Sequence, residues 1–200
     1  MSSPGSLPER PARELLLARA VDYLTGRGLG DISLRELATA LGTSHRMLIY
    51  YFGSKDGLFV EVVRASERRQ QAVLAGSFDA AGGSLEDVSR KFWRRLRSTD
   101  LAAHERLFFE VYGQALQGRE YATSMLDGVV DDWVEPATAA LIADGLPPDE
   151  ARAEARLGLA VVRGLLLDVL ATGDDAGVDA AFERYLTLTG ARRPAPDRTR

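Results

Sequence analysis

From Glu9 onward, apolar residues recur every three or four positions, and clean apolar/polar alternation of the kind a strand needs is absent. The spacing predicts an all-α fold of about nine helices. A first helix over 9–26 carries Leu16, Leu17, Ala20, Val21 and Leu24 on one stripe and ends at Gly26 and Gly28. Ser33 and Glu36 have capping-box spacing ahead of a second helix, whose inner face is Leu34, Leu37, Ala38 and Leu41 and whose stop is Gly42. A short third helix follows from about Thr43 to Tyr51, with Leu48 and Phe52 one turn apart and facing inward. Gly53 and Ser54 break it, and Ser54 is placed to cap a fourth helix with Leu58, Phe59, Val62 and Val63 in the core.

The run "DAAGG" at 79–83 marks the expected domain boundary, between an N-terminal domain over 1–78 and a larger helical domain over 79–190. Beyond it, Ser84 and Asp87 signal the start of another helix, and "AHERLFFEVYGQALQG" reads as the next. A long segment over 119–145 is expected to be interrupted by Pro136. Asp149 is placed to cap a helix over 149–172, and a last helix covers about 177–189. The tail 191–200 is rich in Pro and Arg and is expected to be disordered.

Composition narrows the function classes. The chain has no cysteine, which excludes disulfides and thiolate metal sites and points to a reducing cytoplasm. Its N-terminus lacks the apolar segment of a signal peptide, and the longest apolar run, 157–170, is too short for a membrane span and holds Arg163 and Asp168. A net charge of −4 argues against indiscriminate nucleic-acid binding, but the charge is unevenly shared. Residues 1–70 hold 10 Lys and Arg against 8 Asp and Glu, whereas the other 130 hold 15 against 21. A mildly basic head sits on an acidic body.

The head concentrates the chemistry. Two helices separated by a break at Gly42 have helix-turn-helix spacing, and the second is too short to be stable alone. With Leu48 and Phe52 turned inward, Ser44, His45, Arg46, Ile49 and Tyr50 are left largely outward. A short helix displaying small, basic and aromatic groups suits a DNA major groove, which admits one helix and offers acceptors to arginine.

This region, roughly residues 12–63, resembles the TetR family of transcriptional regulators. The resemblance rests on a capped helix, "LATALGTS", the aromatic cluster ending in Phe52, and "SKDGL". It implies a homodimeric regulator, a repressor, on a palindromic double-stranded DNA operator. Ser33 matches a phosphate-binding cap and Arg35 a position that in some members reaches a base. Ser44, His45 and Arg46 fall at the groove-facing start of the recognition helix, and Thr43 beside them is counted among the DNA-binding residues. Tyr50 and Tyr51 match backbone-contacting positions, and Lys55 matches a lysine that grips a phosphate. Ile49 departs from the pattern: many members carry tyrosine there, whereas isoleucine can touch a thymine methyl but cannot bond a phosphate.

For the body, the resemblance implies a dimer built from the last two helices, about 149–172 and 177–189. The first of these is apolar nearly all round after Leu157, and Gly158 and Gly164 would allow close helix approach. It also implies an internal site for a small-molecule effector, with Phe92, Trp93, Leu96, His104, Phe108, Tyr112, Met125, Trp133, Arg163 and Leu166 as candidates.

Enzyme readings find no footing. "GRGLG" at 26–30 precedes a helix-turn-helix instead of following a strand, so it is not a dinucleotide fingerprint. His45 and His104 have no metal-ligand spacing, no nucleophile–base pair is present, and no cofactor is implied. The alternative of another class is a helical interaction or ligand-binding module that does not read DNA.

Overall fold

The computed structural model describes residues 9–27, 32–79 and 84–190. Among them are nine α-helices and one short 3-10 helix, and no strand. The helices are α1 (Glu9–Arg27), α2 (Leu34–Ala40), α3 (His45–Phe52), α4 (Lys55–Asp79), α5 (Leu85–Leu96), α6 (Thr99–Leu116), α7 (Asp131–Ala143), α8 (Pro148–Thr172) and α9 (Asp175–Gly190), with the 3-10 helix at Glu120–Leu126. The all-α expectation holds. Among these residues, no helix is long and apolar enough to cross a membrane. The expected terminator Gly28, most of the "DAAGG" break and the 191–200 tail lie outside the described residues.

The compact units do not follow chain order as the expected 1–78 and 79–190 division does. One unit comprises residues through Arg68 together with Thr99–Asp127, and the other comprises Arg69–Ser98 and the chain from Gly128. In the first unit α1 packs along α6, and the 3-10 helix folds back on α6. Its core takes Ala20 and Leu24 from α1, Leu37 from α2, Leu48 from α3, Leu58, Val62 and Val63 from α4, and Leu107 and Phe108 from α6. Burying these side chains is what stabilises helices as short as α2 and α3, each of which would be marginal alone.

In the second unit α8 packs on α7 and on α9. Val134, Leu141, Ala151 and Ala155 form a small apolar cluster, flanked by Leu85, Ala137 and Leu159. Helix α5 meets α9 through side chains that pair in antiparallel order. Arg90 Nε lies 3.0 Å from Glu183, the Trp93 indole N–H donates to Asp179 at 2.8 Å, and Arg97 pairs with Asp179 and Asp175. The Trp93 ring stacks on Phe182 with centroids 4.7 Å apart.

Two local expectations are corrected. The chain breaks at 127–130, ahead of Pro136, and Gly128 there has φ +71. Pro136 lies inside α7, near the start of the helix, where it forfeits one bond to the carbonyl of Asp132, an exposed residue. Asp149 does not cap α8: the helix opens with Pro147 as N-cap and Pro148 as its first residue, and Asp149 with Glu150 sits in the first turn against the helix dipole.

The α5–α9 seam gives a graded expectation. Trp93→Ala should destabilise the protein by about 3–5 kcal/mol through lost burial and a residual cavity. Arg90→Ala, at a solvent-exposed ion pair, should cost less than about 1 kcal/mol. Urea unfolding of the two variants beside the parent measures the difference.

Candidate nucleic-acid interface

The site begins with the cap of α2. The Ser33 hydroxyl accepts the Glu36 amide at 3.2 Å, and the Ser33 amide donates to the Glu36 carboxylate at 2.8 Å, so the capping box is complete. At the far end, Leu41 closes the helix, and the Arg19 guanidinium of α1 donates to its carbonyl at 3.4 Å. The Thr43 amide bonds back to the Ala38 carbonyl at 2.9 Å, which tightens the turn. Ser44 then caps α3, its hydroxyl accepting the Met47 amide at 3.2 Å.

Helix α3 is eight residues long, and only Leu48 and Phe52 are buried in it. Arg13 of α1 secures the C-terminal end. Its guanidinium lies over the Phe52 ring at 5.2 Å, its Nε reaches the Tyr51 carbonyl at 3.5 Å, and it pairs with Glu61 of α4 at 3.1 Å. Gly53 leaves the helix at φ +75, a conformation that side chains with a Cβ rarely adopt. At Gly57 a Cβ would stand 2.3 Å from the Phe52 carbonyl oxygen, so only glycine permits this approach of α4 to α3.

With the helix held from beneath, its other face is open. His45 and Arg46 are exposed, as are Ile49 and Tyr50, the last at 62%. Tyr50 and Tyr51 meet edge to face, 5.1 Å between centroids, with Tyr51 half-buried. Ser33 and Arg35 are exposed on α2, Thr43 is half-buried in the turn and Ser44 is exposed. Lys55 is the first residue of α4, and its ammonium lies 5.3 Å from the centre of the Phe59 ring. Its charge also acts on Glu36. A cation at a helix N-terminus opposes the dipole, and here a nearby carboxylate and an aromatic face offset that cost. All ten candidates therefore lie on α2 and its N-cap, the turn, α3 and the first residue of α4. The clamps Arg13 and Arg19 were not singled out from sequence; their mark is only basic residues six apart on α1.

The effector candidates divide between the two units. In the first, His104 and Met125 are buried, and Phe108 stacks on Tyr112 with centroids 5.4 Å apart. In the second are Trp93, Leu96, Trp133, Arg163 and Leu166, with Phe92 against Trp133. Two of these carry structural bonds: Trp93 in the α5–α9 seam, and Arg163, which donates to the Val129 carbonyl at 2.5 Å across the 127–130 break. Among the described residues no three His, Asp or Glu side chains gather to hold a metal.

Residues 16–62 match the sequence profile described as "Bacterial regulatory proteins, tetR family". The N-terminal region of the chain is similar to that family. The fold of the chain is shared with solved structures across nearly its whole length. A TetR-family transcriptional regulator from Cytophaga hutchinsonii superposes with a TM-score of 0.73 at 16% identity, over 94% of this chain and 98% of that one. A TetR transcriptional regulator from Legionella pneumophila gives 0.64 at 18%, over 94% and 99%. A protein from Saccharomonospora viridis, solved in complex with choline, gives 0.65 at 18%, over 92% and 97%. No curated protein matches the chain in sequence. Helices α2 and α3, which have helix-turn-helix spacing, fall within the matched residues.

The cap of α2 titrates. The Ser33 amide, then its hydroxyl, and more weakly Lys55, hold the Glu36 carboxyl below its ordinary 4.5. A carboxyl with a lowered folded pKa stabilises the native state above the unfolded value, and this contribution is lost as pH falls through the folded one. Glu36→Gln should therefore remove part of the acid-side loss of stability, read from thermal melts between about pH 6 and pH 3.

Proposed function

We propose that this protein is a TetR-family regulator, a repressor that binds a palindromic double-stranded operator as a homodimer in the cytoplasm and is released by a small-molecule effector in its body. The observation that carries the reading is the display of α3. A helix anchored by Leu48 and Phe52 and clamped at its end by Arg13, with His45, Arg46, Ile49 and Tyr50 open to solvent, is shaped to enter a major groove. In this reading Arg46 and His45 read base edges, with Arg35 of α2 reaching a base beside them, and Ile49 meets a thymine methyl. Ser33, Thr43, Ser44, Tyr50, Tyr51 and Lys55 contact the phosphate backbone and set the register.

The homodimer is supported by α8. Leu157, Ala160, Gly164, Leu167 and Ala171 are all exposed, and their 3-4-3-4 spacing forms one continuous apolar stripe. Leu157 and Leu167 are 45% and 52% exposed, and Leu188 of α9 is exposed to a similar degree. Large apolar side chains aligned on one face mark an association surface. The two glycines of α8 divide the work. A Cβ at Gly158 would meet the Tyr185 hydroxyl of α9 at 2.8 Å, while one at Gly164 would meet nothing within 4 Å. Gly158 thus serves packing within the chain, and Gly164 leaves room for a second copy. Two-fold symmetry of the dimer would be matched by an inverted repeat in the DNA. The effector reading draws support from the choline held by the Saccharomonospora viridis neighbour. An effector would act by binding one arrangement of the dimer better than the other.

Selection from random duplexes near about 0.1 M salt should enrich an inverted repeat, with affinity falling steeply as salt rises. Arg46→Ala should relax sequence preference at a cost of about 1–3 kcal/mol, whereas Lys55→Ala should weaken binding to all sequences about equally. Silence of both variants would remove these residues from the interface.

Leu167→Glu should convert a dimer to a monomer in sedimentation and weaken operator binding, because it puts a charge at the centre of the α8 stripe. An unchanged dimer would move the interface elsewhere.

A further inference from the structure

We propose that Arg184 of α9 and Asp168 of α8 pair across the homodimer, once on each side of the two-fold axis, and that this pair sets the α8 helices of the two copies antiparallel. The inference rests on the homodimer reading above and adds the register and the charges by which the chain selects a second copy of itself.

The exposed face of α9 extends the association surface of α8. Gly177, Ala181, Arg184 and Leu188 are all exposed, and their 4-3-4 spacing puts them on one stripe. Arg184 is the one cation in that stripe, and it makes no hydrogen bond or ion pair among the described residues. On α8, Asp168 is exposed one turn from both Gly164 and Ala171, at the edge of the apolar stripe. The Thr172 hydroxyl donates to its backbone carbonyl at 2.9 Å and lies 3.4 Å from its carboxylate, which is left without a cation. A second copy covering this surface takes both charges out of water, which is costly unless each meets an opposite charge.

That partner cannot come from the same chain. Helices α8 and α9 form a hairpin through Gly173 and Asp174, so they run antiparallel. Thr172 and Asp175 face each other across the turn, and Gly158 lies beside Tyr185 further on. Asp168 is therefore level with about residues 175–179 of α9, roughly 8–14 Å along the axis from Arg184.

A two-fold axis can run along the helices or across them. Along them, equal residue numbers are level, and Arg184 falls against about residues 159–163 of the other copy's α8. The exposed side chains around that stretch, Arg156, Leu157 and Ala160, offer it no carboxylate. Across them, with the axis at Gly164 in the middle of the stripe, Arg184 falls against about residues 165–169, the span that holds Asp168. A two-fold interface is isologous, so one such contact makes two. A partner without matching charges would bury both groups unpaired, so the pair also discriminates between partners.

The test uses the full chain with two charge reversals, Arg184→Glu and Asp168→Lys, both at positions exposed on the protomer. Sedimentation equilibrium gives the dimer constant, and native mass spectrometry of tagged with untagged chains identifies which copies pair. Each reversal alone should weaken the dimer at least about tenfold, because like charges then face each other twice. Mixing the two variants should restore association, since in that heterodimer the two introduced charges attract and native Arg184 meets native Asp168. The double variant should dimerise with itself and reject the parent.

The proposal is overturned if either reversal leaves the dimer constant unchanged, or if the mixed variants associate no better than each alone. A double variant that pairs with the parent as readily as with itself would also overturn it. The homodimer reading is judged separately, by the parent and by Leu167→Glu. A parent dimer that Leu167→Glu dissolves, but that is indifferent to both reversals, would leave that reading standing without this one. A parent that sediments as a monomer would remove both.

Discussion

Eight residues of helix do not hold together in water, because the entropy of fixing the first turn is not recovered over so short a length. Helix α3 exists because Leu48 and Phe52 are buried beneath it and Arg13 binds its C-terminal end through an aromatic face, a carbonyl and Glu61. Everything the proposed DNA interface offers depends on that attachment. Were the two apolar anchors spread around the helix, His45, Arg46 and Tyr50 would have no open face to occupy. The close approach of α4 at Gly57 and the left-handed exit at Gly53 serve the same end, since both fix where the Phe52 end of α3 lies.

The body is held by a different balance. The α5–α9 seam places a stacked Trp93–Phe182 pair among charges, so apolar burial carries the energy and the ion pairs set the register. On α8 the same apolar character has two uses. Ala151, Ala155 and Leu166 are buried within the chain, whereas the stripe from Leu157 to Ala171 is not. A helix apolar nearly all round and buried on one side only is the physical basis for expecting a second copy on the other.

Much of this was legible in the chain. Capping residues act over three positions, so Ser33 with Glu36, Ser44, Ser54 and Ser84 mark helix starts that the folded chain uses. Helical periodicity separated Leu48 and Phe52 from the outward face of α3, because facing is a property of one helix and its spacing. The family resemblance over the head was readable for the same reason: its motif is contiguous. Pro136 and Asp149 were misread because proline is compatible with the early turns of a helix, and because the Pro147–Pro148 pair already fixes the entry to α8.

What tertiary structure alone decided lies at long range. Arg13 meets residues 38 positions away, and Arg90 meets Glu183 across 93. Sequence spacing cannot choose such partners, since any arginine on an exposed face is an equal candidate until the helices are placed. The same holds for the aromatic residues of the body, which look alike along the chain. Folding commits Trp93 to Asp179 and Phe182, and leaves buried His104 facing a carboxylate just beyond bonding distance. The sequence by itself determined which helices form and which faces they bury, through contacts within a turn or two. Only the tertiary structure decided which polar groups meet, because that depends on how far-separated helices are brought side by side.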